Sequence, residues 1–266
     1  MDAGHSRTGP QARPRKVELQ RRIVGAGEPI VLVHGSAADA ASFRLLEPFL
    51  AEQFTVVSVE RRGRCGSADE DEYTLEAEFD DLVGVVEALQ EPAIVFGHSF
   101  GGNVALGAAL RSSMISKLIL YEPGRRGDAP RALRDELDRL LERSEWRAAM
   151  RLVLRYFTRF PEEWLDDLLD TPPWQERLVY AHTLGRELRA YEEYDYGDLS
   201  RLSTPTLFLV GSESPAEELE YAQLLSAALP SARMVVLPEQ GHLAPVTAPA
   251  LVAREIAAFA DERALR

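Results

Sequence analysis

The residues best suited to chemistry lie in the run Gly97-His98-Ser99-Phe100-Gly101-Gly102. A serine with glycine two positions away on either side fits a sharp strand-to-helix turn that exposes its hydroxyl. Larger side chains at those positions would collide with the adjoining strand and helix. Here Ala93-Ile94-Val95-Phe96 reads as the strand and Gly101 to Arg111 as the helix. Ser99 is therefore the expected nucleophile toward an acyl-type carbonyl. The N–H of Phe100 is expected to face the same space and stabilise the charge that develops on the carbonyl oxygen. The second donor is expected from the loop after the first buried strand, His34-Gly35-Ser36-Ala37, with the Ser36 N–H preferred and Ala37 next.

A serine hydroxyl needs a general base. The chain has five histidines. His5 lies in the polar N-terminal stretch, His182 in a helical segment, and His34 reads as a brace for its own turn. His98 adjoins the serine and is expected to point away from the hydroxyl. His242, in Glu239-Gln240-Gly241-His242, follows the last strand on a loop that can carry an imidazole over the turn, and it is the expected base. The lone Cys65 has no paired base and is expected to be inert.

Positioning these groups falls to an alternation of apolar runs and helix-period segments. Ile30–Val33, Phe54–Val59, Ala93–Phe96, Lys117–Tyr121, Thr206–Val210 and Arg233–Leu237 read as buried strands of a parallel sheet. Val17–Val24 reads as an earlier, more exposed strand. Leu75, Phe79, Leu82, Val86 and Leu89 form one helix face capped by Thr74, and Val252, Ile256 and Phe259 mark a final helix. The fold class is α/β, with a doubly wound, mostly parallel sheet. From about Gly124 to Asp198 the strands stop. Leu133, Leu137, Leu140 and Leu141, then Met150, Leu154 and Phe157, suit helices, and Pro161, Pro172 and Pro173 punctuate them. The expected organisation is a disordered tail over 1–16, a core over 17–123 and 199–266, and a helical lid over 124–198. The lid holds Trp146, Trp164 and Trp174. These aromatics either glue the insertion to the core or line an apolar pocket.

Taken together, the His34-Gly35 loop, the Gly97–Gly102 turn, the helical insertion and Gly241-His242 resemble the α/β-hydrolase superfamily from about Val17 onward. Glu60-Arg61-Arg62-Gly63-Arg64-Cys65-Gly66-Ser67 is similar to that superfamily's loop after the second buried strand, usually begun by Asp. The resemblance implies a third catalytic member, an acid three residues after the glycine that ends the penultimate strand. Here Gly211-Ser212-Glu213-Ser214 puts Ser214 there, and a serine cannot hold an imidazolium by charge. Two carboxylates are candidates. Glu122 ends the strand after the turn's helix, where some relatives such as certain haloalkane dehalogenases carry their acid. Glu213 neighbours the usual position. Glu122 is preferred as the acid; otherwise it is a polar residue at the cavity floor that orients substrate or water.

The implied reaction is cleavage of an ester, thioester or lactone of a small, largely apolar molecule through an acyl-enzyme. The alternative is a non-hydrolytic acyltransferase, lyase or cyclase of specialised metabolism on the same scaffold, and a third reading is a small-molecule receptor that kept the fold. A net charge of −13 over 266 residues argues against nucleic acid as a partner. The only lysines are Lys16 and Lys117, and the abundant arginine is read as compositional rather than as a recognition surface. No apolar run reaches the roughly 18 residues of a membrane span, and the N-terminal stretch lacks a secretory pattern. A cytoplasmic protein with a small-molecule substrate, no metal and no cofactor is expected. A homodimer is left open.

Overall fold

The computed structural model describes residues 16–125, 129–158, 160 and 162–262. The expected tail, apart from Lys16, and Pro161 lie outside the described residues. Seven strands form one sheet: β1 (Arg21–Gly25), β2 (Glu28–Val33), β3 (Phe54–Val59), β4 (Ala93–His98), β5 (Ile115–Tyr121), β6 (Thr206–Gly211) and β7 (Ala232–Leu237). Their order is β1-β3-β2-β4-β5-β6-β7, antiparallel only between β1 and β3. The central strands are the continuous apolar runs of the sequence, because both of their faces are covered. At the two edges the reading shifts. β1 starts at Arg21 and is largely exposed, and β7, expected to be buried, leaves Val236 42% exposed.

Helices α1 (Glu47–Leu50), α2 (Leu75–Ala88) and α3 (Phe100–Ala109) connect the first five strands. Thr74 caps α2, its hydroxyl accepting the Ala77 N–H at 3.2 Å. Between β5 and β6 the described residues form five α-helices and no strand: α4 (Arg131–Glu142), α5 (Trp146–Thr158), α6 (Glu162–Leu169), α7 (Pro172–Arg177) and α8 (Ala181–Glu193). Next come α9 (Ala216–Ala228), the single turn α10 (Ala244–Thr247) and α11 (Pro249–Asp261).

The apolar residues divide into three clusters. Phe79, Val104 and Leu225, from α2, α3 and α9, cover one face of the sheet. Phe43, Leu50 and Ile256 cover the other. The third cluster, around Leu137, Met150, Leu165 and Leu184, lies within the inserted helices and touches the core through Ala37. Among the described residues, no helix is long and apolar enough to cross a membrane.

Candidate active site

Ser99 lies between β4 and α3 with φ 54° and ψ −126°. A residue with a Cβ rarely adopts this conformation and keeps it only when its surroundings enforce it. Here the Ser99 N–H donates to the Tyr121 carbonyl at 3.0 Å, and the Ser99 carbonyl accepts from Gly102 at 2.8 Å. The glycines are needed for contact. A Cβ at Gly97 would meet the Gly101 oxygen at 2.5 Å, and one at Gly101 would meet the Val33 oxygen at 2.2 Å. Ser99 thus stands at the C-terminal end of a central strand, where the sheet presents its loops.

The loop after β2 comes up beside it. A Cβ at Gly35 would lie 3.1 Å from Ser99 Cβ and 3.5 Å from its hydroxyl oxygen. Ser36 and Ala37 follow, Ala37 with φ 56°. Phe100 is the first residue of α3, and the first N–H groups of a helix have no acceptor within it. His34 is fully buried. Its Nδ1–H donates to the Gly35 carbonyl at 2.9 Å and its Nε2 accepts the Arg61 N–H at 3.2 Å. Burial, with Arg61 and Arg64 nearby, holds its pKa well below the ordinary value, so the ring is neutral.

His242 follows β7 on a loop pinned by its own carbonyls. The Tyr121 hydroxyl donates to the Gly241 oxygen at 2.6 Å, and His98 Nε2–H donates to the His242 oxygen at 2.8 Å. Burial, together with the nearby His242, pushes the pKa of His98 down to about 3, so this ring too is neutral. The His242 side chain meets Glu122, with Nδ1 and Glu122 Oε2 2.7 Å apart. Glu122 is buried at the end of β5 with φ 41°. Its other oxygen accepts the Gly211 N–H at 2.8 Å and the Ser214 hydroxyl at 2.6 Å. Burial alone would raise this carboxyl's pKa. The hydrogen bond and charge of His242, with the Ser214 and Gly211 donors, outweigh it and hold the carboxyl below its ordinary value.

The structure therefore brings Glu122 and His242 into direct contact. Glu213 is exposed, with its carboxylate 3.5 Å from the Ser212 hydroxyl. Ser214 occupies the place where the resemblance puts an acid, and there it donates to Glu122. His182 is exposed on α8, against the Val179 carbonyl. The Cys65 sulfur lies 2.7 Å from the Tyr180 hydroxyl, and desolvation raises its pKa, which disfavours the thiolate.

Ser99, His242, Phe100 and residues 35–38 border one cavity of about 520 Å³. The inserted helices supply much of its other wall, including Leu154, Phe157, Leu168 and Trp174. Of the three tryptophans, Trp174 lines the cavity, Trp146 packs within the insertion, and Trp164 is 61% exposed. Two features escaped the sequence reading. Asn103, one turn along α3, lines the cavity with both carboxamide atoms buried and without a hydrogen-bond partner among the described residues. Its position four residues after Ser99 was the available signal. The second is a cluster of buried arginines after β3, for which no local pattern exists.

A sequence model described as alpha/beta hydrolase family matches residues 30–255. The chain is 25% identical over 259 residues to the uncharacterized hydrolase YugF of Bacillus subtilis (strain 168), covering 87% of this chain and 89% of that one. It is 27% identical over 248 residues to the pimeloyl-[acyl-carrier protein] methyl ester esterase of Stenotrophomonas maltophilia (strain K279a), covering 83% and 88%. Among solved structures it is similar to an alpha/beta hydrolase from Sphaerobacter thermophilus DSM 20745. There the TM-score is 0.80 and the identity 31%, over 91% of this chain and 95% of that one. With a family match over most of its length and the parallel sheet to go with it, this chain belongs to the alpha/beta hydrolase family.

Proposed function

We propose that this enzyme is a serine hydrolase that cleaves an ester, thioester or lactone of a small, largely apolar molecule through an acyl-enzyme. The observation that carries the reading is the pairing of buried Glu122 with His242 at 2.7 Å, with His242 bordering the same cavity as the strained Ser99. In this mechanism His242 accepts the Ser99 proton as the hydroxyl oxygen attacks the carbonyl carbon. Glu122 holds the Nδ1–H tautomer and stabilises the imidazolium. The N–H groups of Ser36 and Phe100 receive the oxyanion. Collapse of the tetrahedral intermediate expels the alcohol, thiol or ring oxygen with the proton from His242. Water, deprotonated by the same imidazole, then releases the acid and restores Ser99.

The inserted helices act as the lid of this site. Support comes from their place between β5 and β6 and from their apolar contribution to the cavity wall. The wall favours an apolar acyl or alcohol part, and the relative named as a methyl ester esterase supports the ester class. The test is labelling with a fluorophosphonate probe, followed by turnover of p-nitrophenyl acyl esters. Wild type is expected to label at Ser99 and turn over, and Ser99→Ala to do neither. Equal activity of the two proteins on every active ester, without labelling, refutes the reading.

A further inference from the structure

Behind the loop of residues 34–38 lies a group of charges sealed from solvent: Arg61, Arg64, Glu78 and Glu187. Glu187 belongs to α8, so it reaches the core from the inserted helices. Its Oε1 accepts from Arg61 Nη2 at 2.8 Å and from Arg64 Nη2 at 2.6 Å. Its Oε2 accepts the Ser36 hydroxyl at 2.7 Å. The same guanidiniums grip the loop backbone. Arg61 Nη1 donates to the Gly35 carbonyl at 3.1 Å, and Arg64 Nε to the Ala38 carbonyl at 2.9 Å. Arg61 also covers Phe100, its guanidinium carbon 4.5 Å from the ring centroid. Glu78 takes a further edge of Arg61, through Nε at 3.2 Å and Nη2 at 2.7 Å.

A buried ion cluster is a poor route to stability, because packed apolar side chains of equal volume do as well or better. What this cluster supplies is position. The loop it holds includes Ala37 at φ 56°, a backbone that must be enforced. The loop also lies against the nucleophile, as the Gly35 contact with Ser99 shows. Both residues assigned as oxyanion donors touch the cluster, Ser36 through its hydroxyl and Phe100 through its ring.

Resting on the serine-hydrolase reading above, we infer that Glu187 is a positioning residue of the oxyanion hole, supplied by an inserted helix. It holds Ser36 directly and Gly35 and Phe100 through Arg61, so that the two N–H groups keep the placement a tetrahedral oxyanion requires. Glu187 does not border the cavity and acts through the residues that do. Donor placement matters at this level, since a displacement of about 1 Å costs about 100-fold in rate.

The test compares wild type, Ser36→Ala, Glu187→Gln and the double variant on a p-nitrophenyl acyl ester, each normalised to the sites titrated by a fluorophosphonate. Ser36→Ala keeps the backbone N–H and removes only the hydroxyl that Glu187 holds. Each single variant is expected to lose about 10- to 100-fold in kcat with KM within about threefold, and the double variant to lose little more than Glu187→Gln. Affinity for an alkyl boronic acid, which reports the tetrahedral adduct, is expected to fall in step with kcat. A merely structural role would reduce the melting temperature and the number of titrated sites but leave kcat per site alone. Values per site within about twofold of wild type, or fully additive losses in the double variant, overturn the inference. If Glu187→Gln does not fold, Ser36→Ala decides by the same criterion. A wild type with no titratable Ser99 is a separate outcome: it removes the hydrolase reading, and this inference with it.

Discussion

In the proposed mechanism the acid stands at the end of β5 rather than after β6, and from there it must still reach the same imidazole. β5 and β6 are neighbours in the sheet, so their C-terminal ends lie side by side. Glu122 spans the gap from β5, and the Ser214 hydroxyl after β6 fills the vacated place as a donor to it. Glu122→Gln is expected to lower kcat on the order of 10³- to 10⁴-fold at neutral pH, because it removes the charge that holds the tautomer. Glu213→Gln is expected to stay within about twofold. Steady-state kinetics on one active ester separates the two, and the reverse order would move the acid to Glu213. Asn103 makes a different prediction. Two unpaired buried polar atoms cost stability, so Asn103→Leu is expected to raise the unfolding free energy by about 1–3 kcal/mol in urea titrations. A loss instead would mean that the carboxamide has partners in solution.

At the level of elements, the central strands were legible because each is a continuous apolar run, a pattern that burial on both faces imposes. The Ser99 turn was legible because its glycines answer local contacts. The edge strand β7 was over-read as buried, since an apolar run does not reveal which strand lacks a neighbour. The loop after β3 defeated local reading altogether. Arg61, Arg62 and Arg64 look like surface residues, yet all three are buried, and the carboxylate shared by Arg61 and Arg64 is more than 120 positions away on α8. That pairing has a pH signature. Burial alone would raise the pKa of Glu187; Arg61, Arg64 and the Ser36 hydroxyl outweigh it and lower it to about 2. A carboxyl lowered from 4.5 contributes stability that is present above pH 4.5 and lost as the pH falls toward 2. The pH-dependent part is about 3 kcal/mol. Unfolding curves of wild type are expected to show this decline. Those of Glu187→Gln, less stable by about 3–5 kcal/mol at neutral pH, are expected to lack it, so that the gap narrows as the pH falls toward 2. Parallel acid limbs for the two proteins would refute the pairing.

For the molecule as a whole, the sheet gathers groups from distant parts of the chain at the C-terminal ends of its strands. Ser99 stands after β4, Glu122 after β5, Ser214 after β6 and His242 after β7. The inserted helices, from the β5–β6 connection, supply much of the other wall of the cavity that Ser99 and His242 border. They do not do so as one body. α8 is fastened to the core by Glu187, by Thr183 bonded to Arg64, and by the Tyr191 hydroxyl 2.9 Å from that of Tyr221 on α9. α6 is mostly exposed and, among the described residues, makes no comparable tie to the core, with paired charges such as Arg151–Asp166 lying at its surface. Amide hydrogen exchange is therefore expected to show α6 opening at lower free energy than α8. Uniform protection across the insertion would contradict this. Under the lid reading proposed above, the charges that hold α8 place the opening on the other inserted helices. In the proposed enzyme α8 and α7, whose Arg177 pairs with Asp39 at 2.6 Å, form the fixed wall and α6 the part that opens, so substrate is expected to enter past Leu168, which lines the cavity.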